Sequence, residues 1–333
     1  MIKNNHNFKF IDLFAGVGGI RLGFEDIGEC VFSSEWDKHA QITYEANFRD
    51  MPNGDITLID EKDIPSFDIL LGGFPCQPFS NAGLKMGFED TRGTLFFHIA
   101  RIINHHKPRI VFLENVKGLK SHNKGNTYKT IQNTLEDMGY NVYSQVLNAR
   151  DFGVPQNRER IYIIGFLDNV DFSFPKPLFK KVKVGDILEN NVSEKYTISD
   201  RLWAGHQRRK KEHIEKGNGF GYSMFDEDSL YTSTISARYY KDGSEILIRQ
   251  EGANPRKLTP REAARLQGFP DNFKIVVSDT QAYKQFGNSV CVPVIRALSN
   301  QIKLSLEKPH KKYKLRELDL LNYTYEDRKI AAL

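Results

Sequence analysis

The length of 333 residues allows one large hydrophobic core with a smaller lobe beside it, because single cores stop growing at roughly 250 to 300 residues. No apolar run approaches the ~18 residues that a membrane-spanning helix needs. The N-terminus lacks the apolar segment of a secretory signal, and Cys30, Cys76 and Cys291 are far apart. These features predict a soluble cytoplasmic protein with no membrane partner, and the absence of a Cys-x-x-Cys pair predicts no metal site.

The net charge of +5 is mild, but most of it lies in one part of the chain. Residues 176–257 contain 16 Lys and Arg against 12 Asp and Glu, a local excess of four positive charges. Such an excess is what a surface facing DNA phosphates requires. A solvated helix around the basic run at 208–211 explains that run equally well.

In the first half of the chain, short apolar runs alternate with amphipathic segments. The strand-like runs lie at 10–14, 30–32, 67–71, 109–113, 141–147 and 161–166, and the helical segments at 19–27, 38–47, 94–105 and 127–138. This alternation predicts an α/β fold with a doubly wound, mostly parallel sheet. Ligands of such sheets bind at the carboxyl ends of the strands.

The pattern changes after Phe166. Two prolines, a lysine cluster and turn-rich sequence indicate a separate, irregular lobe. A helical apolar segment resumes at 290–302, and we expect it to pack on the first domain. The sequence therefore predicts three parts, at 1–175, 176–284 and 285–333, the last ending in a charged stretch at 309–333 with no evident function.

A strand that runs into a glycine turn begins the first domain. Gly16, Gly18 and Gly19 let the backbone approach a nucleotide-like ligand closely. The dinucleotide fingerprint Gly-x-Gly-x-x-Gly would need glycine where Arg21 stands, which argues against a nicotinamide-dependent oxidoreductase.

Three side chains after this loop suit an adenosyl ligand. Glu35 is expected to hydrogen-bond ribose hydroxyls, and Trp36 is expected to stack on adenine. Asp55 is expected to accept a hydrogen bond from the adenine amino group. The loop and these residues together predict an adenosine-containing cofactor.

Cys76 lies between two prolines, where the strand at 67–71 ends in a pair of glycines. A cysteine is usually a small buried hydrophobe, but a rigid loop at a strand end suits the presentation of a thiol nucleophile. Thiolate formation needs nearby positive charge, and Arg158 and Arg160 are candidates, although two solvated arginines are the simpler interpretation.

Glu114 ends the hydrophobic strand at 109–113, on the edge of the sheet where Cys76 is expected. Buried carboxyl groups are rare unless they are paired or functional. A carboxyl whose pKa is raised can donate a proton to a ring nitrogen. Cytosine needs such a donor at N3, because its C6 is otherwise a poor electrophile.

These residues resemble the motifs of the DNA cytosine-5 methyltransferase family. The resemblance covers most of 8–170 and 257–300. The matching blocks, in the family's order, are 10–19, 35–37, 54–56, 73–80, 114–116, 156–160, 261–270 and 287–290. It implies a fold of the S-adenosylmethionine-dependent methyltransferase type, with a smaller, mainly β target-recognition lobe at 176–284.

The resemblance also implies a role for each site residue. Cys76 would be the nucleophile, Glu114 the N3 partner, and Arg160, with Arg158 beside it, a donor to the target base. The cofactor S-adenosylmethionine, released as S-adenosylhomocysteine, would be held by Phe14, Gly16, Gly18, Gly19, Glu35, Trp36, Asp55, Pro75, Asn288 and Ser289. Double-stranded DNA would contact Gln77, Ser80, Thr234, Arg238, Tyr239 and Lys241.

Members of this family usually protect host DNA beside a restriction endonuclease, so the resemblance implies a monomeric modification enzyme with such a functional partner. Residues 236–248 are similar to methyltransferases that act on CCNGG or CCWGG sites. Two alternative functions fit the sequence less well. The first is a zinc deaminase, which would need cysteine where Phe79 stands. A non-catalytic DNA-binding protein would not need both Cys76 and Glu114.

Overall fold

The computed structural model describes residues 8–75, 95–178, 181–219 and 221–307. A six-stranded sheet in the order β2-β1-β3-β4-β6-β5 forms its centre. The strands are β1 (Phe8–Leu13), β2 (Gly28–Ser34), β3 (Ile69–Gly73), β4 (Ile110–Val116), β5 (Asn141–Asn148) and β6 (Glu159–Phe166).

The first four strands are parallel, and β6 runs antiparallel to both β4 and β5. A connection of about ten residues without a long helix joins β5 to β6, which suits antiparallel neighbours, whereas a parallel pair needs a crossover. The prediction of a mostly parallel sheet is therefore confirmed, with one reversed strand.

Neighbouring residues of the strands face opposite sides of the sheet, and both sides are buried. Phe10 and Phe112 belong to a core on one face, with Phe24 of the first helix. Ile11 and Val111 belong to a core on the other face. Burial on both faces explains why these strands are continuous hydrophobic runs.

Helices cover both faces, which makes the sheet doubly wound as predicted. The helices are α1 (Gly19–Phe24), α2 (Lys38–Phe48), α3 (Leu95–His106), α4 (Asn126–Asp137), α5 (Asp200–Glu215), α6 (Pro260–Leu266), α7 (Asp279–Asn288) and α8 (Val292–Glu307). The last helix packs on α1, because the Ser299 hydroxyl donates to the Gly23 carbonyl. A Cβ atom at Gly23 would lie 2.4 Å from the Ile295 side chain.

The lobe after β6 is irregular, as predicted, but it is not mainly β in the residues described. Its strands are β7 (Met224–Phe225) and β8 (Leu247–Ile248), which form a two-stranded sheet. Its largest regular element is the sixteen-residue helix α5. The helical interpretation of the basic run at 208–211 is therefore correct.

A third hydrophobic core joins the lobe to α6 and α7. Ile235 and Tyr239 from the lobe share it with Leu266 and Phe286. This core contains residues on both sides of position 284, and the three-part division at 175 and 284 stays a prediction. The charged stretch at 309–333 lies outside the described residues.

Candidate active site

The carboxyl ends of the parallel strands open onto a cavity of about 950 Å³. The loops after β1, β2 and β3 and the end of β4 contribute its walls, and residues of α7 and the lobe close the opposite side. Thirteen of the residues predicted from sequence line this cavity: Phe14, Gly16, Gly19, Glu35, Trp36, Asp55, Pro75, Glu114, Arg158, Arg160, Arg238, Asn288 and Ser289.

The glycine loop is held in shape by Glu35. One carboxylate oxygen of Glu35 accepts from the Gly16 backbone N–H at 2.8 Å, and the other accepts from the Asp37 N–H at 2.8 Å. Burial raises the pKa of Glu35, although these hydrogen bonds oppose the shift. The carboxylate therefore joins the ends of β1 and β2, and Glu35 also lines the cavity.

Two of the loop glycines have different functions. A Cβ atom at Gly19 would lie 2.6 Å from the Ser289 hydroxyl, so glycine lets the loop approach Ser289. Gly18 has φ +81° and is buried, and a Cβ atom there would lie 2.2 Å from the Phe48 ring. Gly18 does not line the cavity. Position 18 needs glycine because a side chain would collide with the Phe48 ring and because the backbone is left-handed there.

Trp36 and Asp55 form the edge of the cavity next to Glu35. Trp36 is 76% exposed, which is unusual for so large a ring and leaves a face free for stacking. The Asp55 carboxylate accepts from the Thr57 N–H at 2.9 Å, and this hydrogen bond fixes its position at the rim. Asn288 lies across the cavity, at the end of α7.

Glu114 and Arg160 form an ion pair in the cavity wall, with 3.3 Å between the carboxylate Oε1 and the guanidinium Nε. Glu114 is 9% exposed, and burial raises its pKa, while the charges of Arg160 and Arg158 oppose the rise. The pairing of β4 with β6 places them together, because Arg160 lies opposite Val116. The carboxyl is therefore biased towards its protonated form.

Arg158 is buried and binds three backbone carbonyl groups from two parts of the chain. Its two terminal nitrogens donate to Ile235 at 3.1 Å, to Gly287 at 3.4 Å and to Ser289 at 2.5 Å. Burial and the neighbouring Arg160 lower the pKa of Arg158 to about 10. Although Arg158 lines the cavity, its hydrogen bonds join the lobe to the segment around Ser289.

Asn115 positions the chain just before Cys76. Its side-chain nitrogen donates to the Phe74 carbonyl at 2.8 Å, and β3 and β4 align Gly73 with Glu114. Asn115 is not among the predicted site residues, although it belongs to the matching block at 114–116. Cys76, Gln77 and Ser80 lie outside the described residues.

The lobe residues predicted to contact DNA differ in their exposure to solvent. Arg238 is exposed and lines the cavity, and Lys241 is exposed beyond it. The Thr234 hydroxyl donates to the Asn157 carbonyl at 2.6 Å. The prediction for Tyr239 is wrong: its side chain is 1% exposed, and its hydroxyl donates to Ile246 and accepts from Leu258, so it belongs to the third core.

Two glutamines that the sequence reasoning missed connect the lobe to α6 and α7. Gln156 is fully buried and donates to the Leu266 carbonyl, while its side-chain oxygen accepts from the Ile235 N–H at 3.1 Å. Gln267 donates to the Phe286 carbonyl at 2.7 Å. Both glutamines lie in blocks that match the family motifs, at 156–160 and 261–270, and this match was the sequence signal that could have identified them.

Within the described ranges, no group of three or more His, Cys, Asp or Glu residues is arranged to hold a metal ion. The helices in the same ranges are too short or too polar to cross a membrane.

Comparison with known proteins identifies relatives over nearly the whole chain. The sequence profile of the family "C-5 cytosine-specific DNA methylase" matches residues 8–304. The type II methyltransferase M1.ScrFI of Lactococcus lactis subsp. cremoris is 64% identical over 316 residues, which cover 93% of this chain and 81% of the relative. The type II methyltransferase M.SsoII of Shigella sonnei is 63% identical over 313 residues, which cover 91% of this chain and 83% of the relative.

The solved structure of the Entamoeba histolytica methyltransferase EhMeth has the same fold, with a TM-score of 0.75 and 24% sequence identity. The match covers 90% of this chain and 99% of the EhMeth chain. The profile match and the high identity to curated relatives agree with the motifs and with the sheet. The chain therefore belongs to the C-5 cytosine-specific DNA methylase family and is a DNA cytosine-5 methyltransferase.

Proposed function

We propose that this enzyme transfers a methyl group from S-adenosylmethionine to C5 of a cytosine that has been flipped out of double-stranded DNA. The observation that carries the proposal is the shared cavity, which is lined by Trp36 and Asp55 and also by the Glu114–Arg160 pair. A methyl donor and a base held in one cavity can react directly. Flipping is needed because the ring edge cannot be reached inside the base stack.

The lining residues fit S-adenosylmethionine. The exposed ring of Trp36 offers a stacking face for adenine, and carboxylates at Glu35 and Asp55 offer acceptors for ribose hydroxyls and the adenine amino group. Phe14, Pro75, Asn288 and Ser289 would enclose the rest. When bound, this cofactor supplies an electrophilic methyl group.

The proposed reaction needs a proton at N3 and a nucleophile at C6. Burial raises the pKa of Glu114, which favours the protonated carboxyl; in that form Glu114 donates to N3 and makes C6 electrophilic. The Cys76 thiolate then adds to C6, which turns C5 into a carbon nucleophile. C5 takes the methyl group and displaces S-adenosylhomocysteine, as the methyl–sulfur bond breaks. A base or a water molecule removes the C5 proton, the C6–S bond breaks to release the Cys76 thiolate, and N3 returns its proton to Glu114. Arg160 would donate a hydrogen bond to the ring.

The setting we propose is a type II restriction-modification system, in which the enzyme acts as a cytoplasmic monomer and protects host DNA from a cognate endonuclease. We propose a CCNGG or CCWGG target on the similarity of residues 236–248 to enzymes with those specificities. DNA would contact Arg238, Lys241 and Thr234 from the lobe, and Gln77 and Ser80 from the loop after Cys76.

Bisulfite sequencing of DNA from cells that lack endogenous cytosine-5 methylation tests the proposal, because it reports product and target together. Expression of the full chain should protect cytosines in one recurring sequence, and Cys76→Ser should protect none. The variant should still bind S-adenosylmethionine in calorimetry, because cofactor contacts are elsewhere. Protection of cytosines by Cys76→Ser at the wild-type level would refute the mechanism. Protection by the wild-type chain in a sequence other than CCNGG or CCWGG would refute only the proposed target.

A further inference from the structure

One loop of the lobe presents two cations beside the cavity. We define the recognition loop as residues 236–246; it carries Arg238, which lines the cavity, and the exposed Lys241. Neither cation has an ion-pair partner among the residues that the structure describes. Backbone geometry couples them, because the Lys241 N–H donates to the Arg238 carbonyl at 2.9 Å.

The inner end of the recognition loop is closed by its own side chains. The Glu245 carboxylate accepts from both the backbone N–H and the hydroxyl of Ser236. The buried hydroxyl of Tyr239 joins the Ile246 carbonyl to the Leu258 N–H, at 2.7 and 2.8 Å. These contacts fix the base of the loop. Within its outer turn, the Gly243 N–H donates to the Tyr239 carbonyl and the Asp242 carboxylate accepts from the Ser244 N–H, both at 3.1 Å.

Helix α5 adds side-chain contacts to that outer turn. The His206 Nε2 lies 3.2 Å from the Asp242 carbonyl oxygen, and the His206 Nδ1 lies 2.9 Å from a terminal nitrogen of Arg209. The same nitrogen of Arg209 is 3.3 Å from the Asp242 carboxylate. A carbonyl can only accept and a guanidinium can only donate, so the neutral imidazole carries its hydrogen on Nε2 and accepts at Nδ1.

The burial pattern of α5 indicates that this contact is a main function of the helix. Of its sixteen residues, His206 alone is buried, with 1% of its surface exposed. A surface helix normally buries an apolar stripe. A helix that instead buries a histidine with both ring nitrogens bonded gains fixed geometry at Asp242.

We propose that His206 and Arg209 are positioning residues for DNA recognition, which hold Asp242 and so set where the recognition loop presents Arg238 and Lys241. The inference rests on the proposed function, because it assigns the loop to DNA. Loss of this contact loosens the outer turn next to Lys241 while the base of the loop stays closed. It should therefore weaken discrimination between DNA sequences and leave the cavity residues outside the loop, such as Glu114 and Trp36, in place.

His206→Leu and His206→Gln test the proposal in the full-length enzyme. Leucine removes both hydrogen bonds, whereas the glutamine amide can donate to Asp242 and accept from Arg209. We would measure kcat and KM on two duplexes: one with the site found by bisulfite sequencing, and one with a single outer base pair replaced. Glu212→Gln is the matched control, since Glu212 is an exposed residue of α5 that pairs with Arg208 and not with the loop.

For His206→Leu we expect KM for the cognate duplex to rise about tenfold, or the preference over the substituted duplex to fall about tenfold, which corresponds to one or two lost hydrogen bonds. Its kcat on cognate DNA and its affinity for S-adenosylmethionine should change less than about twofold. His206→Gln should recover most of the loss, and the control should match wild type.

A folded His206→Leu variant with the wild-type KM and the wild-type preference for the cognate duplex would overturn the proposal. Equal losses in kcat, cofactor affinity and DNA binding would also overturn it, because they indicate a merely structural role. If His206→Leu does not fold, Asp242→Asn serves instead, because it removes only the ion pair with Arg209; unchanged preference there also overturns the proposal. Failure of the wild-type chain to methylate DNA would contradict the proposed function itself.

Discussion

Arg158 and Arg160 are two residues apart, and their guanidinium groups contact different parts of the site. Arg160 faces Glu114, where it is available to a bound base. Arg158 has both terminal nitrogens bonded to carbonyl groups of Ile235, Gly287 and Ser289. We infer that Arg160 contacts the substrate, and that Arg158 keeps the lobe and the cofactor side of the cavity together.

Glu114→Gln should lower kcat by about a hundredfold or more, because an amide cannot transfer a proton to N3. The affinity for S-adenosylmethionine should stay within about twofold of wild type, since the cofactor residues are untouched. Single-turnover methylation and calorimetry measure the two effects, with the surface change Glu136→Gln as control. A loss confined to cofactor affinity would contradict the assigned role.

Glu114 was predicted from the residues themselves, because a carboxyl at the end of a buried strand is rare unless it is paired or functional. Arg160 gave no such signal, since a solvated arginine was the simpler interpretation, and its predicted role came from the family resemblance. Sequence reasoning was wrong for Tyr239, since an aromatic residue within a basic, turn-rich stretch gives no sign of whether its ring faces solvent or a core. Whether Glu35 binds ribose stays a prediction. The structure adds that this carboxylate already holds the glycine loop through Gly16.

At the level of elements, the C-terminal end of α7 lies against the recognition loop. A Cβ atom at Gly287 would lie 2.2 Å from the Ser236 carbonyl oxygen and 2.5 Å from the Ala237 nitrogen. These are backbone atoms and cannot rotate away. Glycine at this position therefore sets the spacing between the helix that carries Asn288 and the loop that carries Arg238.

Gly287→Ala should destabilise the protein by roughly 1–3 kcal/mol, as overpacking of a close contact does, and should raise KM for DNA. Gly205→Ala is the control, because a Cβ atom there meets nothing within 4 Å, and alanine should stabilise α5 by roughly 0.5–1 kcal/mol. Urea denaturation compares both variants with wild type. Equal stability of Gly287→Ala and wild type would show that the two backbones separate without cost.

The strands and the helices of the first domain were predictable to within a few residues because their hydrophobic periodicity is strong. The sequence reasoning missed α6 and α7, since turn residues around 252–255 and 268–271 obscure the periodicity. A local signal did exist: Thr259 and Glu262 form a capping box around Pro260. The reversed direction of β6 also had a local signal, because about ten residues without a long helix separate it from β5 and a parallel crossover needs more.

For the molecule as a whole, a buried acid makes stability depend on pH. Asp12 in β1 is fully buried, and its Oδ1 has no hydrogen-bond partner among the described residues. Burial raises the pKa of Asp12 to about 8, against an attraction to Arg21 that lowers it. Between the unfolded value of 3.8 and about 8, the folded protein binds a proton that the unfolded chain has lost.

The contribution of Asp12 to stability is therefore fully present below pH 3.8 and is lost as pH rises towards about 8. Asp12→Asn does not titrate, so its free energy of unfolding relative to wild type should increase with pH, by about 1 kcal/mol per unit. Urea denaturation of both proteins at several pH values between 5 and 8 measures this. A difference that stays constant with pH would show that Asp12 is ionised in the folded state.

The packing of α8 on α1 has a consequence for the time at which the enzyme becomes complete. The Ser299–Gly23 hydrogen bond joins residues 276 positions apart, and Ile295 fills the space that glycine leaves open in α1. At roughly 5–20 residues per second, a ribosome needs roughly 15–55 s to make the intervening chain. During that interval α1 packs on the sheet, through Phe24 against Phe10 and Phe112, and its Gly23 face lacks the side chains of α8. The core of the first domain is therefore completed only after the last helix is synthesised.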